Sequence, residues 1–480
     1  MNLVTDTNRK WWTLGALTFS LFMIMLDNTV VNVALPAIQV GVQASLSQLE
    51  WVVEAYALVY AVLLISGGKL ADLLGRRRVF ASGLVVFTLS SLWCALSTTG
   101  GMLIAARGAQ GIGAALMLPA TVSIIAVTFT GKDRGLAFGI WAGVAGAGLA
   151  IGPLVGGLLV EVANWSWIFF VNVPVGLLGL AATFLWVPES RDATPNQRLD
   201  VAGLLTSGGA MFALTYALIE ANAHGWGSAL IVGCFVASAV LVVAFVVIEL
   251  RQRNPMLDLS LFRDSTFAGA NAVGLLIMCA LFGFIFFMSI YLQSIRGYSP
   301  LSAGAIFLVS TVAIAIGSPI SGRLTDRFGG RWPITIGQLL FGISLIGISV
   351  LISADVVIWT LYPWLFIGGF GFGLVLPPAT TLVVSSVPPD KTGVASGTMQ
   401  ALRQLGGALG VAIAGAIMNA SVGMLAPRGP QYVEAFVSGL KHVLLFTGLV
   451  AIAGAVVAVV LVRRGAAEPE LAQPTSSASR

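Results

Sequence analysis

Fourteen apolar runs, separated by short polar loops, leave this chain few ways to fold. In hydrocarbon every backbone N–H and C=O must be bonded within the chain, so apolar runs of about 20 residues become spanning helices. The hydrophobic fraction is 57 % and only 9 % of residues are charged, giving a mean hydropathy of +0.94. With short connections, 480 residues have room for about 12 to 14 such helices. The runs begin near Trp11, Glu50, Val79, Met102, Gly135, Ser166, Val201 and Trp226, then near Phe267, Pro300, Trp332, Val357, Gly393 and Phe436. Residues 221–227, between spans 7 and 8, form the thinnest separator, and a twelve-span reading would have to discard that central pair. The run after Arg9 and Lys10 is too long for a cleaved signal and is kept as the first span.

The densest run of charge, residues 68–78, lies between spans 2 and 3 and has an echo. Gly68, Leu70, Asp72, Gly75 and Arg77 map onto Gly322, Leu324, Asp326, Gly329 and Arg331 at a constant offset of 254. A second offset, 258, carries Gly111, Gly113, Leu116, Leu118 and Pro119 of span 4 onto Gly369, Gly371, Leu374, Leu376 and Pro377 of span 12. The same offset carries Gly135, Ala137, Gly139, Gly148 and Gly152 of span 5 onto Gly393, Ala395, Gly397, Gly406 and Gly410 of span 13. Duplication at this spacing means an all-α membrane protein of two pseudo-symmetric six-helix halves with two extra central helices. Parallel repeats of this kind belong to secondary transporters that rock between two openings. The expected organisation is an N-terminal half over 1–190, a linker and two inserted helices over 191–262, and a C-terminal half over 263–464. A disordered tail follows over 465–480. The loop at 422–435 is the longest on its side and has room for a short surface helix.

Of the 25 Lys and Arg residues, 20 fall on one side of the fourteen spans and three (Arg296, Arg428 and Lys441) on the other. Arg107 and Arg403 lie within the membrane. The positive-inside rule then puts both termini in the cytoplasm of a multi-pass cell-membrane protein. It also accounts for the basic pI without nucleic acid as a partner. Cys94, Cys234 and Cys279 fall in apolar segments at unrelated spacings and His224 and His442 stand apart, so neither a disulfide framework, a metal site nor a cofactor is indicated.

Polar groups within the membrane are costly unless paired or hydrated, which makes each a candidate. Asp27 in span 1, Glu54 in span 2 and Arg107 in span 4 are expected to share the outer third of the bilayer around one cavity. An acid beside an arginine can hold a proton or release it as a cation arrives; the same residues can also form a static ion pair. Asn28 and Asn32, one turn apart beside Asp27, suit either substrate hydrogen bonding or contact between helices. Arg403, midway along span 13 with Gln400 and Gln404 close by, suits a counter-ion or a static lock. In span 5, Gly148, Gly152, Gly156 and Gly157 make a smooth face beside the kink-forming Pro153, a surface for close packing or sliding. Asp72 and Asp326, with Arg76, Arg77 and Arg331 nearby, end spans 2 and 10. There each carboxylate can cap a helix of the opposite half, Asp72 near Gly393 and Asp326 near Gly135, and close a gate.

These residues resemble the major facilitator superfamily, and within it the fourteen-span drug:proton antiporters. Residues 68–78 are similar to the superfamily's loop 2–3 motif, and 26–36 (Leu-Asp27-Asn28-Thr-Val-Val-Asn32-Val-Ala-Leu-Pro36) to the antiporter branch's first-span motif. Arg107-Gly-Ala-Gln110-Gly111 is similar to its span-4 motif, whose arginine is linked to proton translocation. Residues 148–157 resemble the span-5 antiporter motif, and Trp51-Val-Val-Glu54-Ala-Tyr56 resembles the span-2 pattern. The resemblance implies a monomeric exporter of small amphipathic substrates, driven by protons through alternating access, with Asp27, Glu54, Arg107 and Arg403 in coupling. Asp27, Asn28, Asn32, Glu54, Gln400 and Gln404 are the candidate substrate contacts. A dedicated exporter of one natural product, siderophore or lipid is the alternative within transport. From another class stands a non-transporting membrane sensor, which would need a soluble signalling domain. An enzyme is not expected, since no nucleophile with a base, metal cluster or P-loop stands out.

Overall fold

The computed structural model describes residues 8–129, 131–191, 200–252, 255, 257–387, 392–423 and 429–463. The expected disordered tail and most of the 191–200 linker lie outside them, as do the side chains of Asp326 and Gly393. The chain folds into α1 (Arg9–Val42), α2 (Leu46–Leu74), α3 (Arg76–Ala95), α4 (Gly100–Thr128), α5 (Gly131–Val162), α6 (Trp167–Trp186), α7 (Val201–His224) and α8 (Ala229–Arg251). The second part holds α9 (Ser265–Ile295), α10 (Pro300–Phe328), α11 (Arg331–Leu351), α12 (Tyr362–Ser385), α13 (Thr392–Val422) and α14 (Pro430–Leu461). Among the described residues thirteen of these are long and apolar enough to cross a membrane. The other, α5, has 32 residues, or about 48 Å at 1.5 Å per residue, which is also enough.

Local sequence explains where the helices start. Ser45 accepts from the Gln48 backbone N–H while the Gln48 side chain accepts from the Ser45 N–H, a reciprocal cap that opens α2. Thr99, Asp200, Ser228, Asp264 and Ser299 cap α4, α7, α8, α9 and α10 through their side-chain oxygens. These caps satisfy N–H groups that a helix end otherwise leaves without partners.

The duplication is visible in the packing. In the first half α1 packs on α5, α2 on α4, and α3 on α4 and α6; in the second, α9 packs on α13, α10 on α12, and α11 on α12 and α14. The inserted helices α7 and α8 pack against each other, and α7 also leans on α2 and α13. The outer flank of α8 (Val236, Val240, Val243, Leu250) is exposed and apolar, as a lipid-facing surface must be. The two halves meet along α2 against α13 and α5 against α10.

One end of the bundle carries Arg9, Arg76, Arg77 and Arg331, and will be called the basic face; the opposite end is the far face. Described contacts between the halves concentrate toward the far face. Ser289 Oγ donates to the Asn32 carbonyl at 2.6 Å and Gln293 Nε2 to the Val33 carbonyl at 2.7 Å. Glu161 accepts from the Leu301 N–H at 3.2 Å. Toward the basic face, a Cβ built on Gly397 would meet only Ile65, at 4.0 Å.

Two expectations change. Span 1 continues through Pro36 to Val42, so Asp27 lies near the middle of α1 rather than in its outer third. A proline in a helix removes one hydrogen bond, but neighbouring helices hold the turn in place. The loop at 422–435 carries no separate surface helix among its described residues, because α14 begins early, at Pro430. Proline is favoured in a first turn, where its missing N–H costs nothing.

On α5, Gly148, Gly152 and Gly156 press on Phe22 to Val30 of α1, and Gly157 presses on Pro300 of α10. A Cβ at Gly156 would lie 2.9 Å from the Val30 carbonyl oxygen, whereas one at Gly143 would meet nothing. Gly156→Ala is therefore expected to destabilise the fold by about 1–3 kcal/mol through overpacking, and Gly143→Ala to leave it unchanged. Thermal unfolding of the two variants in detergent checks the difference.

Candidate functional site

A buried polar cluster joins five helices of the first half, α1, α2, α3, α4 and α6. Asp27 of α1 and Arg107 of α4 form an ion pair at 2.6 Å, with side chains 0 % and 2 % exposed. Arg107 Nη1 also donates to Gln110 Oε1, and Arg107 Nε donates to the Val52 carbonyl of α2 at 3.1 Å. Gln110 Nε2 then donates to Asp27 Oδ1 at 3.0 Å and to Ser91 Oγ of α3 at 2.8 Å. Asn172, at the start of the main segment of α6, donates to Asp27 Oδ1 at 3.2 Å. The guanidinium lies 4.2 Å from the Tyr56 ring centroid and 5.8 Å from that of Phe169, so cation–π contacts complete its surroundings. Each charge has a partner, which is what burial in hydrocarbon demands.

A small cavity opens beside this cluster. It is lined by Asn28, Glu54, Tyr56 and Arg107 from the first half and by Phe282, Gln404 and Gly407 from the second. Its volume is about 10 Å3, room for roughly one water molecule. The candidate site therefore spans the interface between halves but is collapsed in this conformation. Glu54 is fully buried there, and neither of its oxygens has a hydrogen-bond partner among the described residues.

The other candidates are distributed differently. Asn28 donates to the Ile24 carbonyl at 3.2 Å, and Asn32 to the Asn28 carbonyl at 3.1 Å. The Asn32 side-chain oxygen is buried without a described partner, while its main-chain carbonyl joins the seam to α9. Arg403 donates to Thr380 Oγ1 of α12 at 2.9 Å and to Gln400 Oε1 at 3.4 Å; no described carboxylate pairs with it. Gln404 reaches the cavity and Gln400 does not line it.

At the basic face Arg76 binds Asp72 Oδ1 through two nitrogens, at 2.9 and 3.0 Å. In this conformation Asp72 is thus engaged within its own loop. Glu189, just after α6, accepts from the Arg77 backbone N–H at 3.1 Å and forms ion pairs with the Arg77 and Arg78 side chains at 4.0 and 3.7 Å. Gly75 turns the chain there with φ +109°, a conformation that favours glycine. Arg331 opens α11 with its guanidinium 5.8 Å from the Trp332 ring centroid.

Sequence reasoning missed Ser91, Asn172 and Glu50. Asn172 carried a usable signal, an amide inside an apolar span. Gln110 stood in the motif quoted around Arg107 without being assigned a role. Glu50 marked only the expected start of span 2; the helix begins four residues earlier and buries it completely.

Long apolar helices in two repeated halves, meeting on a polar cavity at their interface, are the architecture of a membrane transporter. The sequence matches the Major Facilitator Superfamily profile over residues 17–411 and 272–479, and the chain belongs to that superfamily. It is 38 % identical over 420 residues to the tetracenomycin C resistance and export protein of Streptomyces glaucescens, covering 87 % of this chain and 78 % of that protein. It is 39 % identical over 411 residues to the multidrug resistance protein Stp of Mycobacterium tuberculosis, covering 85 % and 76 %. The fold is shared with a crystal structure of a bacterial homolog of the human lysosomal transporter Spinster, at TM-score 0.67 and 19 % identity over 96 % of this chain and 98 % of that one.

The ion-pair network gives a direct expectation. Asp27→Asn leaves Arg107 buried without a counter-charge and should cost about 3–5 kcal/mol. Adding Arg107→Gln should restore part of that loss, a coupling that a double-mutant cycle of melting temperatures measures.

Proposed function

We propose that this chain exports amphipathic drugs or related lipophilic compounds from the cell in exchange for protons. The observation that carries the reading is the Asp27–Arg107 pair, set beside a cavity that also holds the unpartnered acid Glu54. Substrate entering that cavity from the basic face competes for the same groups. A cation near Glu54 favours its ionised form and so expels a proton; a neutral substrate does so by bringing hydrogen-bond donors to the Glu54 carboxylate, which favour the same form. Opening to the far side then reloads the acids. A membrane potential adds about 2.3 kcal/mol per charge per 100 mV to each proton that enters.

The basic face is assigned to the cytoplasm by its excess of Lys and Arg, and the membrane is the cytoplasmic membrane. In this assignment the far face is the outside, and the structure is closed toward it. The contact of α5 with α10, where Gly157 meets Pro300 and Gly304 meets Pro153, is the surface on which the halves shift during exchange. Asp72 leaves Arg76 and caps α13 when the cytoplasmic side closes; Asp326 with Arg331 does the same toward α5. The protein works as a monomer. The relatives' names, multidrug resistance in one and export of a single antibiotic in the other, support both a broad exporter and a dedicated natural-product exporter. The apolar lining of the seam around Phe282 and Tyr56 favours the broad reading.

Everted vesicles loaded with acid and a pH dye test the reading. Adding a transported compound is expected to release luminal protons in the wild type and not in Asp27→Asn. Absence of proton release with every amphiphile tried, from vesicles that accumulate drug, would contradict antiport. Asp72→Ala is expected to raise labelling of a single cysteine placed on the cytoplasmic half of α13, because the closed state loses its cap; unchanged labelling would count against that gate.

A further inference from the structure

Glu50 is the one fully buried acid that the reading above leaves without a task. It precedes Glu54 by four residues on α2, so the two acids share a face. Both are 0 % exposed, and none of their four carboxyl oxygens has a hydrogen-bond partner among the described residues. An unpartnered carboxylate ion in such surroundings would cost several kcal/mol, whereas the neutral acid is tolerated.

The position of Glu50 is as telling as its burial. Its carboxyl rests on Gly415 of α13, where a Cβ would stand 2.5 Å from Glu50 Cδ. This is the outer seam between the first half and the second, which must part when the transporter opens outward. From the lipid side the inserted helix α7 brings Glu220, which accepts from Ser47 Oγ at 2.9 Å and from Trp51 Nε1 at 3.0 Å. Those two donors flank Glu50 in sequence. One turn further along α7, His224 lies 3.8 Å from Glu220. Exposure falls from 45 % at His224 to 18 % at Glu220 and to zero at Glu50 and Glu54. Glu54 in turn lines the cavity. Glu50 is within electrostatic reach of Glu220 on one side and of Glu54 on the other. The remaining charges near α2 are engaged elsewhere: Asp27 and Arg107 bind each other, and Arg403 of α13 binds Thr380.

We propose that Glu50 is a proton-binding site in the α2–α13 seam, loaded from the outer aqueous phase by way of Glu220 and emptied toward Glu54. The step is a transfer of protons between carboxyl groups and water, with no other co-reactant. It gives the inserted pair a task, since Glu220 belongs to α7. Closing the seam on Gly415 isolates the loaded acid from the outside, so the gate and the proton site are one contact. The inference rests on the proton-coupled reading, and its test separates the two.

Drug accumulation in everted vesicles, with the luminal pH varied, is compared for wild type, Glu50→Gln and Glu220→Gln. At a pH difference of about one unit, losing one coupled proton lowers the accumulation ratio about ten-fold, and this is expected for Glu50→Gln with drug binding to the purified variant retained. Glu220→Gln keeps an acceptor for Ser47 and Trp51, and is expected to displace the dependence of transport rate on luminal pH. Wild-type accumulation in Glu50→Gln with an unaltered pH profile in Glu220→Gln would overturn the proposal while leaving antiport intact. A wild type without drug-linked proton movement would overturn the coupled reading itself. Should Glu50→Gln fail to insert, the Glu220→Gln profile decides alone.

Discussion

A charge taken out of water into hydrocarbon must find its partners within the protein, and the first half of this transporter is built around that requirement at Arg107. Three neighbouring helices and its own contribute to its surroundings: Asp27 from α1, the Val52 carbonyl and the Tyr56 ring from α2, Gln110 from its own helix and Phe169 from α6. Ser91 on α3 and Asn172 on α6 then satisfy the groups that hold it. Shifting any one of these helices alone would strand a buried polar group, at a cost of about 1–3 kcal/mol or more. One network thus couples α1, α2, α3, α4 and α6. The second half lacks such a lock in its described residues: Arg403 has a hydroxyl and an amide as partners rather than a carboxylate.

The seams between halves use different physics. Between α5 and α10 the contact is backbone on glycine, Gly157 against Pro300 and Gly304 against Pro153, the close approach that small residues allow. At the far face the halves are joined by hydrogen bonds from Ser289 and Gln293 to main-chain carbonyls of α1. These bonds are few and each is of modest net worth, about 0.5–1.5 kcal/mol, so the closed state can be exchanged for another at moderate cost. A cavity of about 10 Å3 fits a resting conformation that substrate must expand rather than a prepared pocket.

Much of this was legible in the sequence, because the bilayer leaves little choice of secondary structure and loop charge repeats with the fold. Fourteen helix starts fell close to their expected positions, and the offsets of 254 and 258 anticipated which helices pair with which. Asp27, Arg107 and Glu54 stood out because charge in an apolar run is conspicuous. What stayed hidden depended on depth and on partners. Pro36 suggested an early end to span 1, yet neighbouring helices carry α1 on to Val42. Glu50 stood at the expected start of span 2, and the capping box at Ser45 and Gln48 carries α2 beyond it. Ser91 is an ordinary residue in an ordinary helix, and only packing brings it to Gln110. The clamp of Glu189 on the loop at Gly75 joins residues more than a hundred positions apart, which no local pattern reveals.

The central claim is that substrate and proton compete for the groups around Asp27, Glu54 and Arg107. Calorimetric binding of one transported amphiphile to the purified protein, in two buffers of different ionisation enthalpy, tests it most directly. A proton released on binding is taken up by buffer, so the account requires a heat that differs between the buffers, a difference lost in Glu54→Gln. Equal heats in both buffers, with binding intact, would contradict it.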